Sequence, residues 1–269
     1  MTSKRRMLNA CITCRMYGAT PITTSAASIE FRSHVDDPLW RAGWDFVFCA
    51  ASTTLAILFG AALANLIRGV PIDANGWFAL TLFTHFRTDD PVGILDWYTV
   101  LVGLFALLTL MAHGGTFLAW KTDGAVGARS RRLSLALFVV VTLLWPFVTW
   151  ATRIASPGAF ANLGARPLAW LAGAAAGLGL ATALRELWVD RALGAFVGSC
   201  VFIAGLLGAT AALTFPVLLR SSSDPSRSLT AHAAAAAEPN TPERAWVLRW
   251  LSIMYWSLPS VMVTRGPIS

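Results

Sequence analysis

Charge is scarce in this chain. Asp, Glu, Lys and Arg together make up 13% of its 269 residues, against about 25% in a soluble globular domain. Hydrophobic residues supply 56%, and mean hydropathy is +0.60. So few charges cannot clothe a water-facing surface, so a soluble domain is excluded as the main architecture. Cysteine is also sparse: four residues are too few for a disulfide framework. Cys49 and Cys200 fall inside apolar runs, and Cys11 and Cys14 form a single CxxC with no second ligand pair at zinc-site spacing. There is no Walker loop, no HExxH, no GxSxG and no paired Cys/His signature. Those absences exclude a self-contained nucleotide hydrolase, zinc protease or serine hydrolase. Residues 1–28 hold basic side chains but no apolar core of signal-peptide length, and they read as a disordered polar leader.

What the chain has is long apolar runs. A helix needs about 20 apolar residues to cross a hydrocarbon core of roughly 30 Å. Six segments meet that requirement, at about 44–67, 97–120, 133–154, 168–187, 192–219 and 246–263. The fold expected is all-α, a polytopic transmembrane helical bundle. Polar loops separate the first two spans and the last two, and no soluble domain is hidden in them.

The net charge of +7 is placed as an address, and no nucleic-acid partner is expected. Lys4, Arg5, Arg6, Arg15, Arg32 and Arg41 precede the first span, and Lys121, Arg129, Arg131 and Arg132 follow the second. Between those clusters the loop is acidic, with Asp73, Asp89, Asp90 and Asp96 against Arg68 and Arg87. Basic loops stay cytoplasmic, so the amino terminus is expected inside and loop 68–96 outside. Residues 185–191 then lie inside and 220–245 outside. Trp40, Trp44, Trp97, Trp120, Trp188 and Trp246 sit near proposed span ends, as indole prefers. Trp145 and Trp150, beside Pro146 within the third span, do not follow that pattern.

Glycines mark close helix approach. Gly173-x-x-x-Gly177 with Gly179, and Gly194-x-x-x-Gly198, are read as one packing face. A dinucleotide loop would need a preceding strand and a later acid, and these glycines lie within a span. Two ionisable residues stand out as buried-polar or proton-route candidates. His113, in the stretch MAHGGTFLAW, lies about two turns before Lys121, at a depth where a polar side chain needs a partner. Interhelical hydrogen bonding ranks first for it, a proton relay second and haem ligation last, since a lone histidine specifies no cofactor. Asp45, just inside the first span, is expected to cap that helix, with a proton path as the alternative. Arg68, with Asn65 near the far end of the same span, is expected to snorkel to the interface. No catalytic, cofactor-binding or metal residue is assigned.

The chain resembles subunit II of the cytochrome bd-type quinol oxidases. The likeness rests on EFR at 30–32, ANLIRGVPID at 64–73, GILDWYTVLVGL at 93–104, HGGTFLAWKTDG at 113–124, TFPVLLRSS at 214–222 and SLTAHAAA at 228–235. It covers residues 29–245 as a subunit II-like transmembrane domain, with 1–28 as a leader outside the resemblance and 246–269 as an atypical final span and tail. The resemblance implies a heterodimer in the bacterial inner membrane that passes electrons from quinol to oxygen and forms water. In it subunit I carries haems b and d, and this chain is a supporting subunit in contact with membrane lipid. Family segments of the GFDLG and WDGNEVW type do not precede Glu30, which implies a shortened and inactive form as one outcome. Arg220 and His232 stand where the family commonly has proline and asparagine. The competing class is a small helical permease, which would carry internal repeats and interrupted helices. No repeat is visible among the six spans.

Overall fold

The computed structural model describes residues 21–32, 34, 36–72, 81–88, 93–160, 166–221 and 225–231. Its helices are α1 (Pro21–Arg32), α2 (Pro38–Arg68), α3 (Trp97–Lys121), α4 (Gly124–Ala155), the single turn α5 (Pro157–Phe160), α6 (Pro167–Trp188) and α7 (Ala192–Thr214). Strand β1 (Val217–Leu219) pairs antiparallel with β2 (Leu229–Thr230). Five of the helices, α2, α3, α4, α6 and α7, are long and apolar enough to cross a membrane, so the molecule is an all-α polytopic bundle. The proposed sixth span, 246–263, lies outside the described residues, as do Cys11, Cys14 and His232.

Local chemistry sets the helix ends. Asp37 accepts a hydrogen bond from Leu39 N at 3.0 Å and Pro38 opens α2; proline is tolerated in the first turn because its missing N–H would have no partner there. Gly69, at φ +100°, stops the helix and returns its N–H to Asn65 O at 2.8 Å. Helix α3 begins with a reciprocal capping box: Thr99 N donates to Asp96 Oδ1, and Asp96 N donates to Thr99 Oγ1, each at 2.8 Å. Three boundaries differ from expectation, and the first is the start of α2 at Pro38, six residues before the expected span at 44. Helix α4 starts at Gly124, about nine residues before the apolar run, because Arg129, Arg131 and Arg132 continue the same helix into the polar zone. Helix α7 ends at Thr214, and the rest of its apolar run leaves as strand β1. Helix α1, from Pro21 through Arg32, takes in the last eight residues of the leader.

Short connections make successive helices antiparallel: two residues join α3 to α4, and three join α6 to α7. Helix α3 packs on α2, α4 and α7, and α6 lies along α7 in the most extensive pairing. The core holds Ala64, Tyr98, Phe105, Phe138, Val141, Leu180 and Phe202 among its members. Trp145 belongs to this interior and meets Phe202 edge-on at 5.6 Å and 73°, whereas Trp150 is exposed.

Of the glycines expected at the close α6–α7 crossing, Gly179 and Gly198 make it, joined by Gly205, while Gly173 and Gly177 do not. A Cβ at Gly179 would sit 2.5 Å from Phe202 N, at Gly198 2.7 Å from Ala183 N, and at Gly205 2.5 Å from Ala176 N. Gly173 has no neighbour within 4 Å and Gly177 has only Trp145, at 4.0 Å. The physical reason is rotation. At about 100° per residue, Gly177 and Gly179 are roughly 200° apart around the helix. The face that α7 takes is the one bearing Ala176, Gly179 and Ala183.

The ends of α2, α4 and α7 and the starts of α3 and α6 gather at one end of the bundle, with the β ribbon. There Val70 N donates to Arg220 O at 2.9 Å, and Val70 bridges Ser221.

Candidate functional site

His113 is half-buried on α3 and turned toward α7. Its Nδ1 lies 2.7 Å from Ser199 Oγ, and its ring stacks on Phe196 at 5.1 Å and 22°. Ser199 Oγ donates to Phe196 O at 2.6 Å, and Thr116 Oγ1 donates to His113 O at 2.6 Å. Each hydroxyl proton is thereby used, so satisfying all three bonds requires Nδ1 to donate to Ser199 and leaves Nε2 as the imidazole's acceptor. Thr116 Oγ1 stands a further 3.3 Å from Ser199 Oγ. The result is a three-residue polar island at a helix crossing, walled on one side by Phe196 stacked on Trp120. Behind His113, Gly115 lets Ser134 of α4 approach in direct contact, which accounts for one glycine of the HGG stretch. Gly114 meets nothing within 4 Å.

The imidazole is committed to Ser199 and to the Phe196 stack, and among the described residues no three His, Cys, Asp or Glu side chains converge.

Asp45 faces a different neighbour. The α2 cap is Asp37, so Asp45 sits two turns into the helix, correcting the expectation that it caps. Its carboxylate accepts from Arg32 Nε at 2.6 Å and Nη2 at 3.4 Å. That carboxylate holds the Arg32 guanidinium above its ordinary pKa, first through the hydrogen bond and then through charge. With Phe31 stacked on Trp44 at 5.2 Å and Trp40 Nε1 donating to Phe31 O at 2.8 Å, the pair fastens α1 to α2. Asp45 faces α1 and His113 faces α7, so the two candidates share no contact.

A third site escaped the sequence reading. Arg68 does not snorkel; it is buried and forms an ion pair with Asp96, their side chains 4% and 1% exposed. Arg68 Nη2 also donates to Asn65 Oδ1 and, at 3.1 Å, to Gly93 O. Asn65 Nδ2 donates to Ala61 O and Ile94 O, both at 3.0 Å. One carboxylate therefore caps α3 through Oδ1 and neutralises the end of α2 through Oδ2, while two side chains of α2 hold the carbonyls leading into α3. The available sequence signal was opposite charges bounding one loop, Arg68 as the last helical residue before it and Asp96 as the cap after it.

Comparison with known proteins follows the same lines. The chain is 28% identical to the "Probable cytochrome oxidase subunit 2" of Haemophilus influenzae over 235 residues, covering 78% of this chain and 61% of that protein. It is 22% identical to the "Cytochrome bd-I ubiquinol oxidase subunit 2" of Escherichia coli K12 over 266 residues, 85% of this chain and 68% of the relative. It is also 29% identical over 114 residues to the "Cytochrome bd ubiquinol oxidase subunit 2" of Bacillus subtilis, 42% of this chain and 31% of that one. The chain thus spans about three fifths of the length of its Haemophilus relative. The model of the cytochrome bd terminal oxidase subunit II family matches residues 7–257. With five apolar spans beneath that match, the chain belongs to the cytochrome bd terminal oxidase subunit II family.

Proposed function

We propose that this chain works as the supporting subunit of a bd-type terminal oxidase, docked in the bacterial inner membrane against a haem-bearing subunit I. Haems b and d reside on that partner, quinol reaches the complex rather than this chain alone, and the amino terminus lies in the cytoplasm. The observation that carries the reading is the combination of a family match over residues 7–257 with polar sites that each tie one helix to another helix or to a loop. His113, Asp45 and Arg68 each reach a partner on a neighbouring helix or at the start of one, which is what a scaffold requires. Within the complex the His113–Ser199–Thr116 island is the candidate polar step on this side of the interface.

The experiment is purification of the native protein from membranes under mild detergent, with an optical spectrum and quinol-dependent oxygen uptake. Co-elution with a larger haem protein, and loss of uptake when this chain is deleted, are expected. A colourless chain that elutes alone, or an oxidase that turns over normally without it, overturns the proposal.

A further inference from the structure

Two arginines at the Arg68 end take no part in the functional reading. Arg166, the residue before α6, donates from Nη1 to Leu213 O and, at 3.1 Å, to Ala212 O, closing the carbonyl end of α7. Arg220, exposed after β1, donates from Nη1 to Ser156 Oγ at 3.4 Å. Its guanidinium lies over Gly158, where a Cβ would come within 2.5 Å of Nη2. Both arginines line one small cavity of about 70 Å³, together with Ile67, Leu213 and Thr214. Among the described residues neither guanidinium meets a carboxylate, unlike Arg68 close by, which is spent on Asp96.

A second cleft, of about 310 Å³, shares Ile67 and Leu213 with the first and runs on between α2, α3, α4, α6 and α7. Tyr98, Trp145 and Trp170 are among its walls. Guanidinium groups bind phosphate oxygens through paired N–H donors, and Arg166 offsets the α7 carbonyls that would otherwise repel an anion there. Two cations above an apolar cleft at a membrane boundary match a molecule with a phosphate head and a hydrocarbon tail.

We propose that Arg166 and Arg220 hold the phosphate of an anionic phospholipid whose acyl chain lies in the adjoining cleft. Arg220 is central because it is exposed and lines the small cavity beside Arg166. The site is independent of the oxidase reading and needs no partner subunit.

The test is native mass spectrometry of the full chain in detergent, with phosphatidylglycerol, phosphatidylcholine or inorganic phosphate added in turn. One phosphatidylglycerol is expected to stay bound through detergent stripping, with retention falling about tenfold in Arg220→Gln, an exposed change that leaves the bundle folded. Gly158→Val, which keeps both charges but fills the space under Arg220, is expected to lower retention as well. Phosphatidylglycerol should also raise the thermal midpoint of the wild type and leave that of Arg220→Gln unmoved. Equal retention of the two lipids, no loss in Arg220→Gln, or protection by inorganic phosphate alone at the same concentration would each overturn the assignment.

Discussion

At the scale of single residues, the buried Arg68–Asp96 pair bears the greatest energetic weight. Each charge is almost fully removed from solvent, and removing one leaves the other uncompensated, which costs about 3–5 kcal/mol. Arg68→Leu and Asp96→Asn should therefore each lower the thermal midpoint sharply in detergent. The double substitution Arg68→Leu/Asp96→Asn should lose less than the sum, because no lone charge remains and Asn still caps α3 through its carbonyl. Strict additivity would show that the pair does not act as a unit. His113 ranks lower. Interhelical hydrogen bonds in membranes average about 0.6 kcal/mol and reach roughly 1.7, so Ser199→Ala should cost no more than that in unfolding measurements. His113→Leu should lose the same bond, and a double-mutant cycle with Ser199→Ala should return a coupling of similar size. Asp45→Asn should leave the thermal midpoint nearly unchanged, since its pair with Arg32 is half exposed on both sides and screened by solvent.

At the scale of helices, contact faces decide what substitutions do. Gly179, Gly198 and Gly205 sit where α6 and α7 backbones nearly touch. Gly198→Leu must push the helices apart, with a loss of about 3 kcal/mol or more from overpacking. Gly173→Ala, on the same helix as Gly179 but with nothing within 4 Å, should be neutral or slightly stabilising by up to about 1 kcal/mol, since alanine favours helix. If the two substitutions lower the thermal midpoint equally, the α6–α7 register described here is wrong. The helices themselves were legible in the residues: apolar length gave six spans, of which five lie among the described residues and are found there, and Asp37–Pro38, Asp96-x-x-Thr99 and Gly69 are local signals readable without a fold. What was not legible was orientation about each axis. Gly173 and Gly177 satisfy the small-xxx-small pattern as well as Ala176 and Gly179 satisfy close packing, and nothing local distinguishes them.

Taken whole, the molecule leaves most of its apolar surface uncovered. In the most apolar window of each of the five spans, only 22–33% of residues are buried inside the bundle. In water that exposure would drive association, so the chain should remain monodisperse only in detergent or lipid. Light scattering after dilution below the micelle concentration should rise; a clear monodisperse solution would contradict the membrane reading. The same incomplete covering leaves ample face for a partner subunit as well as for lipid.

The sequence by itself determined that the chain is a bundle of membrane-length helices, where most of them begin and end, and the family to which it belongs. Those properties are local and additive: apolar length is matched to bilayer thickness, caps act within four residues, and motifs sit at span ends. Only the tertiary structure decided that Arg68 is buried with Asp96, that Asp45 answers Arg32 instead of capping α2, that Ser199 receives His113, and that Gly179 rather than Gly173 meets α7. These depend on how each helix is rotated against its neighbours. In a bilayer, lipid is as apolar as the protein interior, so hydropathy carries little contrast between the two faces from which that rotation could be read.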